Sequence, residues 1–272
     1  MQNKPTRRIS VTFHQTIGAI FQKPVRATYS HLVIHTPHAG RGLPVASDGN
    51  YYATGFKRNN IRDFAYLLTD HFTDKLFSTD LPSATQVSFV YSRVFCDVER
   101  LLDDPLEEKG LGICYNIKRF VALDIEKPVW TKSKEEAMNL YNEHHRALAN
   151  AIQENTLLLD CHSFSEHDNV LCPNAHEYKD IDICLGFNDD ETKPSEGTLS
   201  FVAGFFRERG YRVEFNQPFS NSKTVDTDKS YHSLMIEVNK HCYMDEGSLE
   251  KTDGFNKLQS ELQTLYRLLI NC

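Results

Sequence analysis

The chain of 272 residues carries 30 Lys and Arg against 37 Asp and Glu, a formal net charge of −7. Such a field gives no reason to expect nucleic acid or an anionic membrane as a partner, and no run approaches the ~20 apolar residues of a membrane span. The length suits one large α/β domain with an ample core, and Met1-Gln2-Asn3-Lys4 leads into no apolar signal segment, so a cytoplasmic setting is expected.

Residues 8–28 hold Val11, Phe13, Ile17, Ile20, Phe21 and Val25 and read as a strand followed by an irregular segment. His31-Leu32-Val33-Ile34-His35 is a β-branched apolar run opening into the Pro/Gly-punctuated loop 36–42, which carries His38. From Asn60 to Phe77, Ile61, Phe64, Leu67, Leu68, Phe72, Leu76 and Phe77 recur at helical spacing. The middle of that pattern, Thr69 to Asp74, is unusually polar. Thr69 and Asp70 can start a second helix as a cap, and Asp70 and Asp74 stand one turn apart on a shared face.

Gln86 to Phe95 reads as a strand delivering Arg93 and then Cys96-Asp97-Val98-Glu99-Arg100. Arg93 and Arg100 can form a carboxylate clamp, because a planar guanidinium fork binds a carboxylate bidentately. The plain alternative is a surface ion-pair cluster. Asp104 to Gly112 is a charged loop. Ser133 to Asn155 is the clearest helix, with Ser133 as cap and Ala137, Leu140, Tyr141, His144, Leu148 and Ile152 on one stripe. Solvation accounts for at least one of its histidines, His144 and His145.

That helix feeds into Leu157-Leu158-Leu159-Asp160-Cys161-His162-Ser163-Phe164, an apolar run expected to be a buried strand of an α/β sheet. The C-terminal ends of such strands are where these sheets place ligand-binding groups. His162 is held there rigidly enough to ligate a metal, with Asp160 a candidate to fix its tautomer. A buried histidine satisfied by backbone is the plain alternative, against which the second histidine-bearing strand end at 31–42 argues. Alternation turns Cys161 to the opposite face from His162. The seven cysteines contain no CxxC pair and read as reduced thiols.

Residues 165–180 are loop-like, Ile181 to Gly186 a short strand, and Thr198 to Glu208 a helix stopped by Gly210. Tyr211 to Phe215 is a strand ending at Asn216-Gln217-Pro218-Phe219, and Ser248 to Ile270 a closing helix. Between them, Ser233 to Asn239 is an apolar strand containing Glu237. A carboxylate in such a run is costly unless paired or functional, which makes Glu237 the best general-base candidate. A strand glutamate facing solvent is the alternative. No repeat, Pro-rich linker or low-complexity tract interrupts residues 1–272, so a single domain is expected.

Seven segments together resemble the N-formylglutamate amidohydrolase family. They are Thr36 to Gly40, Thr69-Asp70 with Thr73 to Phe77, Ser92-Arg93 with Asp97 to Arg100, Leu159 to Phe164, Asp182 to Gly186, Asn216 to Phe219, and Ile236 to Asn239 with Tyr243-Met244-Asp245. The resemblance implies a zinc carboxypeptidase-like, phosphorylase/hydrolase-like fold. This is a three-layer α/β/α architecture with a central twisted mixed sheet and a metal at the strand ends. It implies zinc-assisted hydrolysis of the amide bond of a small N-acyl amino acid such as N-formyl-glutamate. Mapped onto this chain, His38, Asp70 and His162 hold Zn²⁺, leaving a position open for water. Glu237 moves the proton, Arg93 and Arg100 hold the substrate carboxylate, and Asn216 contributes to substrate binding. Monomer and homo-oligomer are both left open.

The chain departs from the family pattern in three places. Glu99 stands where Asp-x-Asn-Arg has Asn, and an extra negative charge there weakens binding of a dianion. Ser220-Asn221-Ser222-Lys223 replaces a Gly-rich turn, and Arg41 occupies the place where carboxypeptidase-type sites carry their acid ligand. The competing reading is a non-catalytic metal- or ligand-binding module that keeps the fold. A serine hydrolase built on Ser163 and His162 lacks a GxSxG elbow.

Overall fold

Strand β3 (Thr156–Phe164) is buried along its whole length. That is why its sequence is a leucine run and not an alternation: both faces of its sheet are covered. Around it lie β1 (His31–Thr36), β2 (Ala84–Ser88), β4 (Ile183–Gly186), β5 (Val213–Phe215) and β6 (Tyr231–Asn239). The spatial order is β2-β1-β3-β6-β4-β5. The first four strands in that order run parallel, β4 is antiparallel to β6, and β5 is parallel to β4. The sheet is therefore mixed, as expected. The computed structural model describes residues 28–43, 65–115, 131–167, 170–172 and 174–270. The expected strand and irregular segment at 8–27 and the start of the expected helix at 60–64 fall outside these residues.

One face of the sheet presents Leu32, Ile34, Leu157, Leu159, Ile236 and Val238 to helices α3 (Glu196–Arg207) and α4 (Asp253–Leu269). Phe255, Leu258, Leu262, Leu265 and Leu269 of α4 are buried at the spacing of a single helical stripe. The opposite face packs Val33 and Leu158 against Leu148, Ala151 and Ile152 of α2 (Thr131–Ala151) and the residue after it. The result is the three-layer α/β/α arrangement. No helix among the described residues is long and apolar enough to cross a membrane.

The face under α2 is the one that matters for chemistry. Register pairs His35 with Asp160 and His162 with Glu237, so four polar side chains follow Val33 and Leu158 on one face at the C-terminal end of the parallel strands. Cys161 belongs to the other face, as the alternation predicts. Burial raises its thiol pKa well above the ordinary value, so it is inert.

Several boundaries differ from the sequence reading. The strand expected over 86–95 stops at Ser88. Phe89 and Phe95 bury instead in a loop cluster with Cys96, Val98, Ile113 and Tyr141, and this stretch folds over the loop after β1. Gly42 N donates to Val90 O (3.1 Å) and Ser92 N to Gly42 O (2.8 Å). Gly40 permits that approach, since a Cβ there would stand 2.4 Å from the Tyr91 carbonyl oxygen. Ser133 lies inside α2, which starts at Thr131. The closing helix starts at Asp253, because β7 (Met244–Asp245) and β8 (Glu250–Lys251) form a small antiparallel ribbon over the preceding residues.

Candidate active site

The helical pattern over 60–77 is broken where its polar residues fall. Residues 65–67 are helical, and α1 (Thr73–Leu76) begins after Phe72, whose φ of 65° is left-handed. Asp70 sits in the break. It neither caps α1, where Phe72 holds the N-cap position without a side-chain bond, nor shares a helical face with Asp74. Asp70 N donates to His38 O (3.0 Å), and Ser163 N donates to Asp70 Oδ2 (3.2 Å). Asp70 thereby bridges the ends of β1 and β3, through its backbone N–H on one side and its carboxylate on the other.

Three donor atoms converge at that point. His38 Nδ1 and His162 Nδ1 are 3.1 Å apart, and Asp70 Oδ2 lies 3.3 Å from His162 Nδ1 and 3.7 Å from His38 Nδ1. All three residues are buried. Each imidazole has its far nitrogen on a carboxylate: His38 Nε2 is 2.8 Å from Asp97 Oδ1, and His162 Nε2 is 3.0 Å from Asp160 Oδ1. With protons on both Nε2 atoms, two Nδ1 lone pairs and a carboxylate oxygen face one another in a buried space. A cation relieves that repulsion. Tetrahedral bonds of about 2.0–2.2 Å place ligand atoms roughly 3.3–3.6 Å apart, close to the separations found. The donor set therefore fits a metal ion.

The electrostatics point the same way. Burial disfavours an imidazolium at His162, but Asp160 and Asp70 at its two nitrogens outweigh it and hold its pKa well above the ordinary value. For Asp70, burial opposes ionisation and the hydrogen bonds to His162 and His38 prevail, keeping it ionised. A proton between these groups thus occupies the place a metal would take, and metal binding displaces it.

The supporting carboxylates are themselves held firmly. Asp97 Oδ2 accepts from Arg93 Nη2 (2.9 Å) and Nε (3.2 Å) and from Tyr115 OH (2.7 Å). Asp160 Oδ1 also meets His35 Nδ1 (3.0 Å), while Oδ2 accepts from Lys223 N (2.9 Å). Behind it His35 Nε2 meets His144 Nε2 at 2.9 Å. His144 is buried and, through desolvation first, pushed down to a pKa of about 2; His145 bonds Val98 O at 2.9 Å. Solvent does not account for His144, whereas His145 is only partly buried, in keeping with the expectation that solvation accounts for at least one of the pair. His144 brings α2 against the network behind His162, and its place on the apolar stripe was the signal for that burial.

A cavity of about 230 Å³ opens over this centre. Glu237 lines it and is buried, so the solvent-facing alternative does not hold. Its Oε2 receives no hydrogen bond from any described residue. Burial pushes its carboxyl up to about 8, with the His162 charge opposing and Asp70 adding. Arg93 and Arg100 also line the cavity, but both are engaged by Asp97; Arg100 Nε stands 3.4 Å from Asp97 Oδ2. Arg93 and Asp97 are buried, so this is no surface ion-pair cluster. Asn216 is not brought to the cavity. Its Oδ1 accepts from Phe187 N (3.0 Å), fixing the turn that delivers Phe219 and Ser220 to the wall. Glu99 lines the wall beside Arg100, its Oε1 3.4 Å from His35 Nδ1.

A mixed sheet that raises two histidines, an aspartate and a glutamate beside one cavity at its parallel strand ends has the makings of a hydrolase site. The crystal structure of N-formylglutamate amidohydrolase from Ralstonia eutropha JMP134 has this fold, with a TM-score of 0.72 at 22% identity over 91% of this chain and 95% of that one. A gene product of Agrobacterium tumefaciens matches with a TM-score of 0.57 at 15% identity over 89% of this chain and 92% of its own. No curated protein sequence matches. The N-formylglutamate amidohydrolase family model matches residues 30–244, and the chain belongs to that family.

Proposed function

We propose that this chain is a zinc-dependent amidohydrolase that cleaves the amide bond of a small N-acyl amino acid of the N-formyl-glutamate type. It would act as a single cytoplasmic domain; Cys96, Cys161, Cys184 and Cys242 are free thiols, in keeping with a reducing compartment. The observation that carries the reading is the meeting of His38 Nδ1, Asp70 Oδ2 and His162 Nδ1 beneath a cavity that also contains Glu237.

His38, Asp70 and His162 would hold the zinc, which would supply Lewis acidity toward an acyl carbonyl and toward water. Glu237 Oε2 takes the proton of the attacking water and passes it to the leaving nitrogen. Asp97 and Asp160 hold the two imidazoles in the tautomer that presents Nδ1. Arg100, with Arg93 behind it, attracts the substrate carboxylate, and Phe164 and Phe219 keep bulk water from the reacting bond. The test is metal analysis joined to a hydrolysis screen of formyl-, acetyl- and aminoacyl-substituted amino acids. One zinc per chain with turnover of at least one class is expected. Full zinc occupancy without turnover across the panel favours the non-catalytic module, to which the acidic Glu99 beside Arg100 lends some support.

Two substitutions probe the assigned parts. Asp160→Asn keeps the shape of the side chain but weakens its hold on His162 Nε2. It is expected to loosen metal affinity by ~10–100-fold, read by competition with a chromophoric chelator; an unaltered affinity removes Asp160 from the metal's support. Arg100→Ala is expected to raise KM for carboxylate-bearing substrates about tenfold or more, the scale of one charge-assisted hydrogen bond, and to spare uncharged amides. An equal effect on both substrate types dismisses the clamp.

A further inference from the structure

We propose that His35 and His144 are a positioning pair, which through Asp160 holds the His162 imidazole in the one orientation that presents Nδ1 to a metal. The proposal rests on reading His38, Asp70 and His162 as a metal site. Asp160 Oδ1 meets two imidazole nitrogens at 3.0 Å each, His162 Nε2 and His35 Nδ1. An ionised carboxylate only accepts hydrogen bonds, so both nitrogens carry a proton. Oδ2 accepts from Lys223 N (2.9 Å), and the three bonds together fix the plane of the carboxylate. On the other side of the centre Asp97 is oriented by Arg93 and Tyr115. His35 does for Asp160 what that guanidinium does for Asp97.

His35 is in turn held from behind. It pairs in register with Asp160 across β1 and β3, so the two side chains stand on one face. Its Nε2 lies 2.9 Å from His144 Nε2 with one proton between them, and the rings are tilted by 35° at a centroid distance of 5.1 Å. Phe89 meets the His144 ring edge-on at 5.3 Å and 74°. That support decides an orientation. Glu99 Oε1 is buried without a hydrogen bond 3.4 Å from His35 Nδ1, a second acceptor toward which the ring could turn. The bond to His144 at the far nitrogen keeps Nδ1 on Asp160. Packing alone does not call for imidazoles here, because Leu148, Ala151 and Ile152 already seat α2 on the sheet. Two buried polar rings are costly unless their hydrogen bonds serve a purpose, and the line His144, His35, Asp160, His162 ends on the proposed ligand.

The test is zinc affinity by competition with a chromophoric chelator, together with the thermal midpoint of the same metal-free samples. His35→Leu removes the Nδ1 donor, whereas His35→Asn keeps an N–H near that position. His144→Leu and His144→Gln make the same comparison at Nε2. Zinc is expected to bind about tenfold more weakly to His35→Leu, the low end for a group supporting a metal ligand, and His144→Leu shifts the same way by less. The Asn and Gln variants should recover most of the loss whatever their thermal midpoints, which a merely structural role would not produce. Affinity unmoved in His35→Leu, or lowered as much in His35→Asn, overturns the positioning role. Should His35→Leu fail to fold, the His144 variants decide on the same criteria. A natural chain that binds no zinc sinks the metal reading and this proposal together. Zinc binding indifferent to all four variants sinks the positioning pair alone.

Discussion

Glu237→Gln is expected to cut kcat by ~10²–10⁴-fold while metal content stays the same, because the amide keeps the shape of the side chain but cannot take up the proton. The strand around it constrains the outcome. Glu237 pairs in register with His162 across β3 and β6, so the proposed proton carrier and a proposed metal ligand stand side by side on a rigid sheet. Near-normal turnover in the variant would remove Glu237 from the reaction.

The pH profile gives a second readout. Burial pushes the Glu237 carboxyl to about 8 from an ordinary value of 4.5, and a cation at the three ligands draws it back down. Only the ionised form accepts a proton, so kcat/KM falls as pH drops through that pKa. The acid limb is expected between 4.5 and about 8, above the range of an exposed glutamate. Residual activity of Glu237→Gln should lack that limb; its persistence assigns it to another group.

His162→Ala is expected to strip the metal and reduce hydrolysis to background. The change removes one proposed ligand atom and also leaves two buried carboxylates short of a partner, Asp160 at 3.0 Å and Asp70 at 3.3 Å. Removing one member of a buried ionic pair typically costs about 3–5 kcal/mol, so thermal unfolding should shift downward as well. His38→Ala should show the same metal loss, with Asp97 as the orphaned carboxylate. Zinc retained at full occupancy after dialysis of His162→Ala is incompatible with ligation by that residue.

How much of this could be read from the chain alone depended on what each residue's neighbours revealed. β3 and β6 were legible because each is a long apolar run interrupted by a polar group, His162 or Glu237, that burial makes costly. His38 was legible as a second histidine at a strand end. The setting of Asp70 was obscured: apolar spacing runs through 60–77, and the break is made by Phe72 in a left-handed conformation that no glycine announces. Asp97 and Arg93 lie in a charge-rich stretch of the kind usually solvated, and their burial under Tyr115 and the 38–42 loop is a long-range event. Register decided the rest, since only the pairing of His35 with Asp160 and of His162 with Glu237 puts those groups on one face.

The centre and the rim of the cavity are built from different kinds of structure. His162 and Glu237 ride on adjacent inner strands, whereas Glu99, Leu106, Leu171, Phe219 and Ser220 belong to turns and connecting segments. Mutational drift can therefore rewrite which acyl compound is admitted without disturbing the machinery that breaks it. Descendants of one ancestral catalyst should diverge in diet long before they diverge in reaction, and grafting rim loops between them is the direct route to exchanging their appetites.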